Sequence, residues 1–178
     1  MDNTGALNYT TLCDFYELTM GNGYFETGLK DKITYFDLFF RSVPDNGGFA
    51  VAAGLEQVIK YIQDLHFEEG DIDYLRSRGI FSEGFLDYLR HFRFTGDIWA
   101  VPEGTPVFPR EPLVTVRAPA VEAQLLETFM LMQINHQSLI ATKANRIVRA
   151  AEGRAVLEFG SRRAQGAGAA VLGARGAY

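Results

Sequence analysis

Two adjacent arginines stand in the run Leu157-Glu158-Phe159-Gly160-Ser161-Arg162-Arg163-Ala164-Gln165-Gly166. Guanidiniums present forked donors that suit a carboxylate or a phosphate. The stretch before them, Ala155 to Phe159, reads as a buried strand that ends in glycine. Cations at the carboxyl end of a strand are a common way for an α/β protein to hold an anionic ligand. From Leu139 to Tyr178 the basic residues are Lys143, Arg146, Arg149, Arg154, Arg162, Arg163 and Arg175, against only Glu152 and Glu158, while the whole chain carries −5. An acidic body with a basic C-terminal quarter points to a localised anion site rather than a nucleic-acid surface. For residues 143–154 alone, a solvated helix face explains the charge equally well.

Other chemistries lack their residues. His66, His91 and His136 stand apart, without the spacing of a zinc site. Asp37, Asp64, Glu69, Asp71 and Asp73 do not make a calcium loop. There is no GxxxxGK[ST], no GxGxxG after a strand and no GxSxG. His136, between Asn135 and Gln137, reads as a hydrogen-bonded helix-break residue rather than a base. The sequence therefore assigns no catalytic residue and no metal ligand.

The elements that must carry the arginines form a mixed α/β order. Thr11 to Gly21 reads as a helix behind an N-cap region at Asn8-Tyr9-Thr10, with Leu12, Phe15, Tyr16 and Thr19 at helical spacing. Ile33 to Phe40 is a strand, Pro44 to Gly48 a turn cluster, Phe49 to Ala53 a short strand and Leu55 to Leu65 a helix. Two acidic helices follow near 69–77 and 82–91. Gly96 to Pro119 is a hairpin-rich β unit, with strands at Ile98 to Val101, Pro106 to Phe108 and Leu113 to Val116. Val121 to Ala151 reads as two helices broken or bent around Asn135 to Ser138, with a nearly continuous apolar start buried between layers. The small-residue tail from Gly166 reads either as a poorly ordered end or as a helix whose first amides face an anion.

With 178 residues, 47% hydrophobic and 22% charged, the chain has the composition of a folded domain with a real core. No apolar run approaches the roughly 20 residues that span a bilayer. The N-terminus lacks the order of a signal peptide, and the single Cys13 excludes an internal disulfide. These features lead to the expectation of a cytoplasmic protein that binds neither membrane nor nucleic acid.

One resemblance runs along nearly the whole chain. Asp14-Phe15-Tyr16-Glu17-Leu18-Thr19-Met20 is similar to a helix of the nicotinate phosphoribosyltransferase family. The likeness continues in order through Phe36 to Arg41, Gly47 to Ala50, Ala53 to Leu55, Phe94 to Asp97, Pro102 to Gly104 and Phe108 to Pro112. It goes on through Glu122 to Thr128 and Ser138 to Ala144 and ends in Leu157 to Gly166. No single motif would suffice, but the colinear series is specific.

The resemblance implies an α+β N-terminal domain of a type II phosphoribosyltransferase at 1–153. From 154 to 178 it implies the first strand of an irregular α/β barrel, most of whose active site lies outside this chain. The implied reaction joins nicotinate to phosphoribosyl pyrophosphate, releasing pyrophosphate, with ATP and Mg²⁺, in a homodimer with shared active sites. The family's ring-stacking tyrosine maps to Tyr16, reaching the other subunit's site. Its second stacking aromatic maps to Phe159, and the following basic pair to Arg162 and Arg163 for carboxylate and phosphate. Arg41 is a possible phosphate contact across the dimer. On residue type alone, Tyr16 and Phe159 are equally core aromatics and Arg41 a surface cation. The tail departs from the family: Ala167-Gly168-Ala169-Ala170 stands where a Pro-Asp-Gly-like turn is usual. Two alternatives remain open, a non-catalytic dimerisation or anion-binding module and a nicotinamide- or quinolinate-using relative. The DFYELTM and EFGSRRAQG runs favour nicotinate.

Overall fold

The computed structural model describes residues 8–178. Their elements run α1 (Phe15–Glu26), β1 (Ile33–Leu38), β2 (Ala50–Val51), α2 (Leu55–Asp64), α3 (Glu69–Ser77), α4 (Glu83–Arg90), β3 (Asp97–Ala100), β4 (Pro106–Val107), β5 (Val114–Pro119), α5 (Ala120–Gln124), α6 (Glu127–Ala150) and α7 (Ala167–Ala177), with 3₁₀ turns at Pro44–Asn46 and Ser161–Arg163. A three-stranded sheet has the order β1-β5-β3, and β2 pairs antiparallel with β4 in a second sheet. This is an α+β fold, as expected. Among the described residues no helix is long and apolar enough to cross a membrane.

The chain divides into two compact units, each drawn from three segments: Met1–Phe36, Ile59–Trp99 and Thr115–Met130 in the first, and Asp37–Val58, Ala100–Val114 and Leu131–Tyr178 in the second. The first unit is held by aromatics. Phe85 is fully buried on α4 and packs its ring near those of Phe25, Phe81 and Tyr88. A Cβ on Gly21 would stand only 3.2 Å from that ring, so α1 comes close because the residue there has no side chain. Ser82 caps α4 by accepting the N–H of Phe85 at 3.2 Å, and Glu68 with Asp71 forms a reciprocal cap on α3.

α1 starts at Phe15 rather than Thr11. The four residues before it are occupied otherwise: the Thr10 hydroxyl donates to the carbonyl of His66 at 2.7 Å, and Leu12 N–H turns back to the Tyr9 carbonyl. The helix runs on to Glu26, through Gly21 and Gly23.

In the second unit polar side chains of α6 hold β2 by its backbone. Thr142 Oγ1 accepts the N–H of Val51 and Ser138 Oγ that of Ala53, each at 2.9 Å. Gln137, fully buried, donates to Gln57 at 2.8 Å. These bonds explain why the expected break at Asn135 to Ser138 is absent: Gln137 and Ser138 meet their partners from inside an unbroken helix. The break lies instead at Leu125-Leu126, two buried leucines with no turn signature. His136 accordingly sits in mid-helix.

Ala155 to Phe159 is not a strand. It is irregular, with Leu157 and Phe159 largely exposed. A strand exists only through a hydrogen-bonded neighbour, and none of the described strands pairs with it. The tail, in contrast, is helical. Gly176 of α7 lies so near α6 that a Cβ there would be 3.0 Å from the Gln137 carbonyl oxygen. Arg175 fastens this helix, with ion pairs of 2.7 Å to both Glu56 and Glu103.

Candidate functional site

The expected site residues fall into both units. Tyr16 belongs to the first. Arg41, Phe159, Arg162 and Arg163 belong to the second.

Tyr16 lies in the first turn of α1, and its ring is 42% exposed. The Glu127 carboxylate beside it, with some burial, holds its phenol above its ordinary ionisation range. Glu127 also accepts from Gln124 Nε2 at 2.9 Å. One residue on, Glu17 is fully buried and its Oε1 accepts both the N–H and the hydroxyl of Thr128. Thr128 Oγ1 in turn accepts the N–H of Asp14 at 3.1 Å. Burial pushes the Glu17 carboxyl above its ordinary range against these hydrogen bonds, and its Oε2 has no partner among the described residues. The next residue along, Phe129, stacks on Tyr61 with centroids 3.9 Å apart and planes 11° from parallel. At Cys13, nearby in sequence, burial, then Glu17 and Asp14, pushes the thiol up to about 12, away from the thiolate form.

The basic segment is built differently. Ser161–Arg163 is a single 3₁₀ turn, closed by Arg163 N–H to the Gly160 carbonyl at 2.8 Å. Phe159, Arg162 and Arg163 are exposed. The Arg162 guanidinium lies over the Phe159 ring, 5.8 Å from its centroid, a cation–π contact worth about 0.5–1 kcal/mol at an exposed site. Two of the expected residues thus touch each other. Arg41 is exposed beyond the end of β1. The arrangement offers a flat ring with free guanidinium donors beside it, suited to an aromatic acid or a phosphate.

The second unit also contains a pocket of about 420 Å³, lined by residues including Glu103, Ala141, Asn145, Arg175 and Tyr178. None of the expected site residues lines it. Its best-placed charge, Glu103, accepts the N–H groups of Gly54 and Leu55 at 2.7 and 2.8 Å, at the start of α2. Sequence reasoning assigned no role to Glu103, Glu127, Thr128 or Glu17. All four lie inside the quoted motifs, and a carboxylate within an apolar helix such as α1 was the available signal. Among the described residues no three His, Cys, Asp or Glu side chains could together hold a metal ion.

The fold is that of the N-terminal α+β part of a type II phosphoribosyltransferase. The crystal structure of human nicotinic acid phosphoribosyltransferase superposes with a TM-score of 0.87 at 34% identity, covering 94% of this chain and 34% of that one. Nicotinate-nucleotide pyrophosphorylase from Pyrococcus furiosus, at 23% identity and a TM-score of 0.74, shares the fold over the whole of this chain and 39% of its own. The family described as the nicotinate phosphoribosyltransferase (NAPRTase) N-terminal domain matches residues 11–135. Nicotinate phosphoribosyltransferase pncB2 of Mycobacterium tuberculosis is 48% identical over 165 residues, 93% of this chain and 35% of the relative. The chain belongs to the nicotinate phosphoribosyltransferase family, and it spans about a third of the length of the relatives it matches.

Proposed function

We propose that this chain serves as the N-terminal part of a nicotinate phosphoribosyltransferase. That enzyme forms nicotinate mononucleotide from nicotinate and phosphoribosyl pyrophosphate, coupled to ATP hydrolysis with Mg²⁺, in the cytoplasmic salvage of pyridine nucleotides. The segment from Arg154 begins a second domain. The enzyme works as a homodimer, with Tyr16 reaching the partner's site and the exposed Leu12, Phe15 and Met20 beside it forming contact surface.

The observation that carries the reading is Tyr16 itself. It is a half-exposed aromatic in the first turn of a helix, in a motif of the matched family. Bond breaking at the ribose carbon develops positive charge there, so catalysis depends on holding the nicotinate nitrogen in line and neutralising the leaving pyrophosphate. A stacked aromatic contributes about 0.5–1.5 kcal/mol beyond its buried area. Tyr16 and Phe159 orient the pyridine ring, and Arg162 and Arg163 attract its carboxylate and the phosphates.

In the enzyme carrying this chain, Tyr16→Ala raises the nicotinate KM strongly, and an unchanged KM sinks the stacking role. The 178-residue chain alone releases no pyrophosphate from nicotinate, phosphoribosyl pyrophosphate, ATP and Mg²⁺. Turnover by it would favour a complete site within these residues.

A further inference from the structure

α7 is a helix that its own sequence supports poorly. It carries Gly168, Gly173 and Gly176, it has no side-chain cap at Gly166, and none of its residues is buried. Glycine disfavours a helix interior, and an isolated helix this short is marginal in water. Its order therefore comes from what it touches. Gly173 and Gly176 let it lie against α6, where a Cβ would stand 3.2 Å from Ile140 Cδ1 and 3.0 Å from the Gln137 carbonyl oxygen. Its side-chain hydrogen bonds gather at Arg175. Nη2 donates to Glu56 Oε2 and to Glu103 Oε2, each at 2.7 Å, and Nη1 donates to Gln137 Oε1 at 3.1 Å and to Glu103 Oε1 at 3.3 Å.

The acceptors are set by residues outside α7. Gln137 is fully buried, and its Nε2 donates to Gln57 Oε1 at 2.8 Å, which turns Oε1 toward the guanidinium. Glu103 Oε1 accepts the N–H groups of Gly54 and Leu55, which leaves Oε2 to Arg175. Glu56 lies in the first turn of α2. Two carboxylates and a buried amide oxygen thus converge, as acceptors only, on a planar fork of donors, a geometry that suits guanidinium rather than the point charge of an ammonium. Glu103 and Arg175 also line the pocket of about 420 Å³, which gives a small cation room to reach the acceptors. We propose that Glu56, Glu103 and Gln137 form a receptor for one guanidinium group, with Arg175 as its tethered occupant. α7 is then a strap that one side chain docks. Because Glu103 also holds the start of α2, occupancy of the receptor is felt at the Gly54 and Leu55 amides. The site is independent of the reaction proposed above.

The test uses the 178-residue chain and N-ethylguanidinium, the end of an arginine side chain without its backbone. Arg175→Ala should speed hydrogen exchange of the α7 amides at least about tenfold. Arg175→Lys should do the same, since an ammonium does not span the acceptors. In the Arg175→Ala variant, N-ethylguanidinium should shift the Gly54 and Leu55 amide resonances saturably, with half-saturation at about 10–100 mM for one charged, forked contact. N-ethylammonium at the same concentration and ionic strength should not. Adding Glu56→Gln should weaken the response at least about threefold. Unchanged α7 exchange in Arg175→Ala overturns the proposal, because packing alone then holds the strap. So does protection retained in Arg175→Lys. An amide response that fails to saturate, that is equal for the two cations, or that survives Glu56→Gln undiminished also overturns it.

Discussion

The two aromatic positions that the family resemblance pairs, Tyr16 and Phe159, are held in opposite ways. Tyr16 stands on a helix whose first turn is bonded to Thr128, beside fully buried Glu17. Phe159 stands on an irregular segment, 68% exposed, and its described ring contact is with Arg162. One stands on a helix turn held by local tertiary bonds and the other on an irregular segment. Local contacts thus fix the backbone that carries Tyr16.

Stability measurements can break this comparison, and the core should respond most. Phe85→Ala removes the ring on which α1 rests and should cost about 3–5 kcal/mol in denaturant unfolding. Phe159→Ala should change stability by no more than about 0.5 kcal/mol, as exposed substitutions do. A comparable cost at both positions would mean that residue 159 is packed in solution. Gly54 sets the next largest effect. At φ +102° its Cβ would stand 2.6 Å from the Gln133 carbonyl oxygen, so Gly54→Ala should destabilise by about 1–3 kcal/mol. Thr128→Val should cost about 1–3 kcal/mol by stranding polar partners, measured against the same denaturant curve.

The smallest effect is one of pH, and it has opposite signs in the two units. The Glu17 carboxyl lies above its ordinary 4.5 because burial disfavours its charge. Its contribution is therefore complete below that value and is lost as pH rises through the folded pKa. For Glu103 burial also opposes ionisation, but Arg175 and the N–H groups of Gly54 and Leu55 outweigh it and hold the carboxyl below 4.5. Its contribution is present above 4.5 and is lost as pH falls through the folded pKa. Glu17→Gln should thus flatten the decline in midpoint on the side above 4.5, and Glu103→Gln the decline on the acid side. A single common pH response in both variants would refute the separate assignments.

Much of this was legible in the residues. Helices α2, α3 and α4 fell where the sequence reading expected them, and the structure adds the caps Glu68 and Ser82. The family likeness was carried by motifs that the structure turns out to use as connectors: the run containing Asp14, Tyr16 and Glu17 is bonded to the run containing Glu127 and Thr128. What could not be read depends on contacts distant in sequence. The polar quartet Asn135 to Ser138 looks like a break until Gln57 and the Ala53 backbone are seen opposite it. The true break at Leu125-Leu126 has no glycine or proline to announce it. Ala155 to Phe159 has the composition of a strand, but composition cannot supply a neighbour to pair with.

Glu103 reaches the two amides that open α2, and this has a consequence for hydrogen exchange. The first-turn amides of a helix lack an intrahelical acceptor and ordinarily trade their protons with water quickly. Those of Gly54 and Leu55 share one carboxylate oxygen. In deuterated buffer they should therefore persist like protons from mid-helix, giving a residue-resolved clock for the integrity of the second unit that needs no substrate.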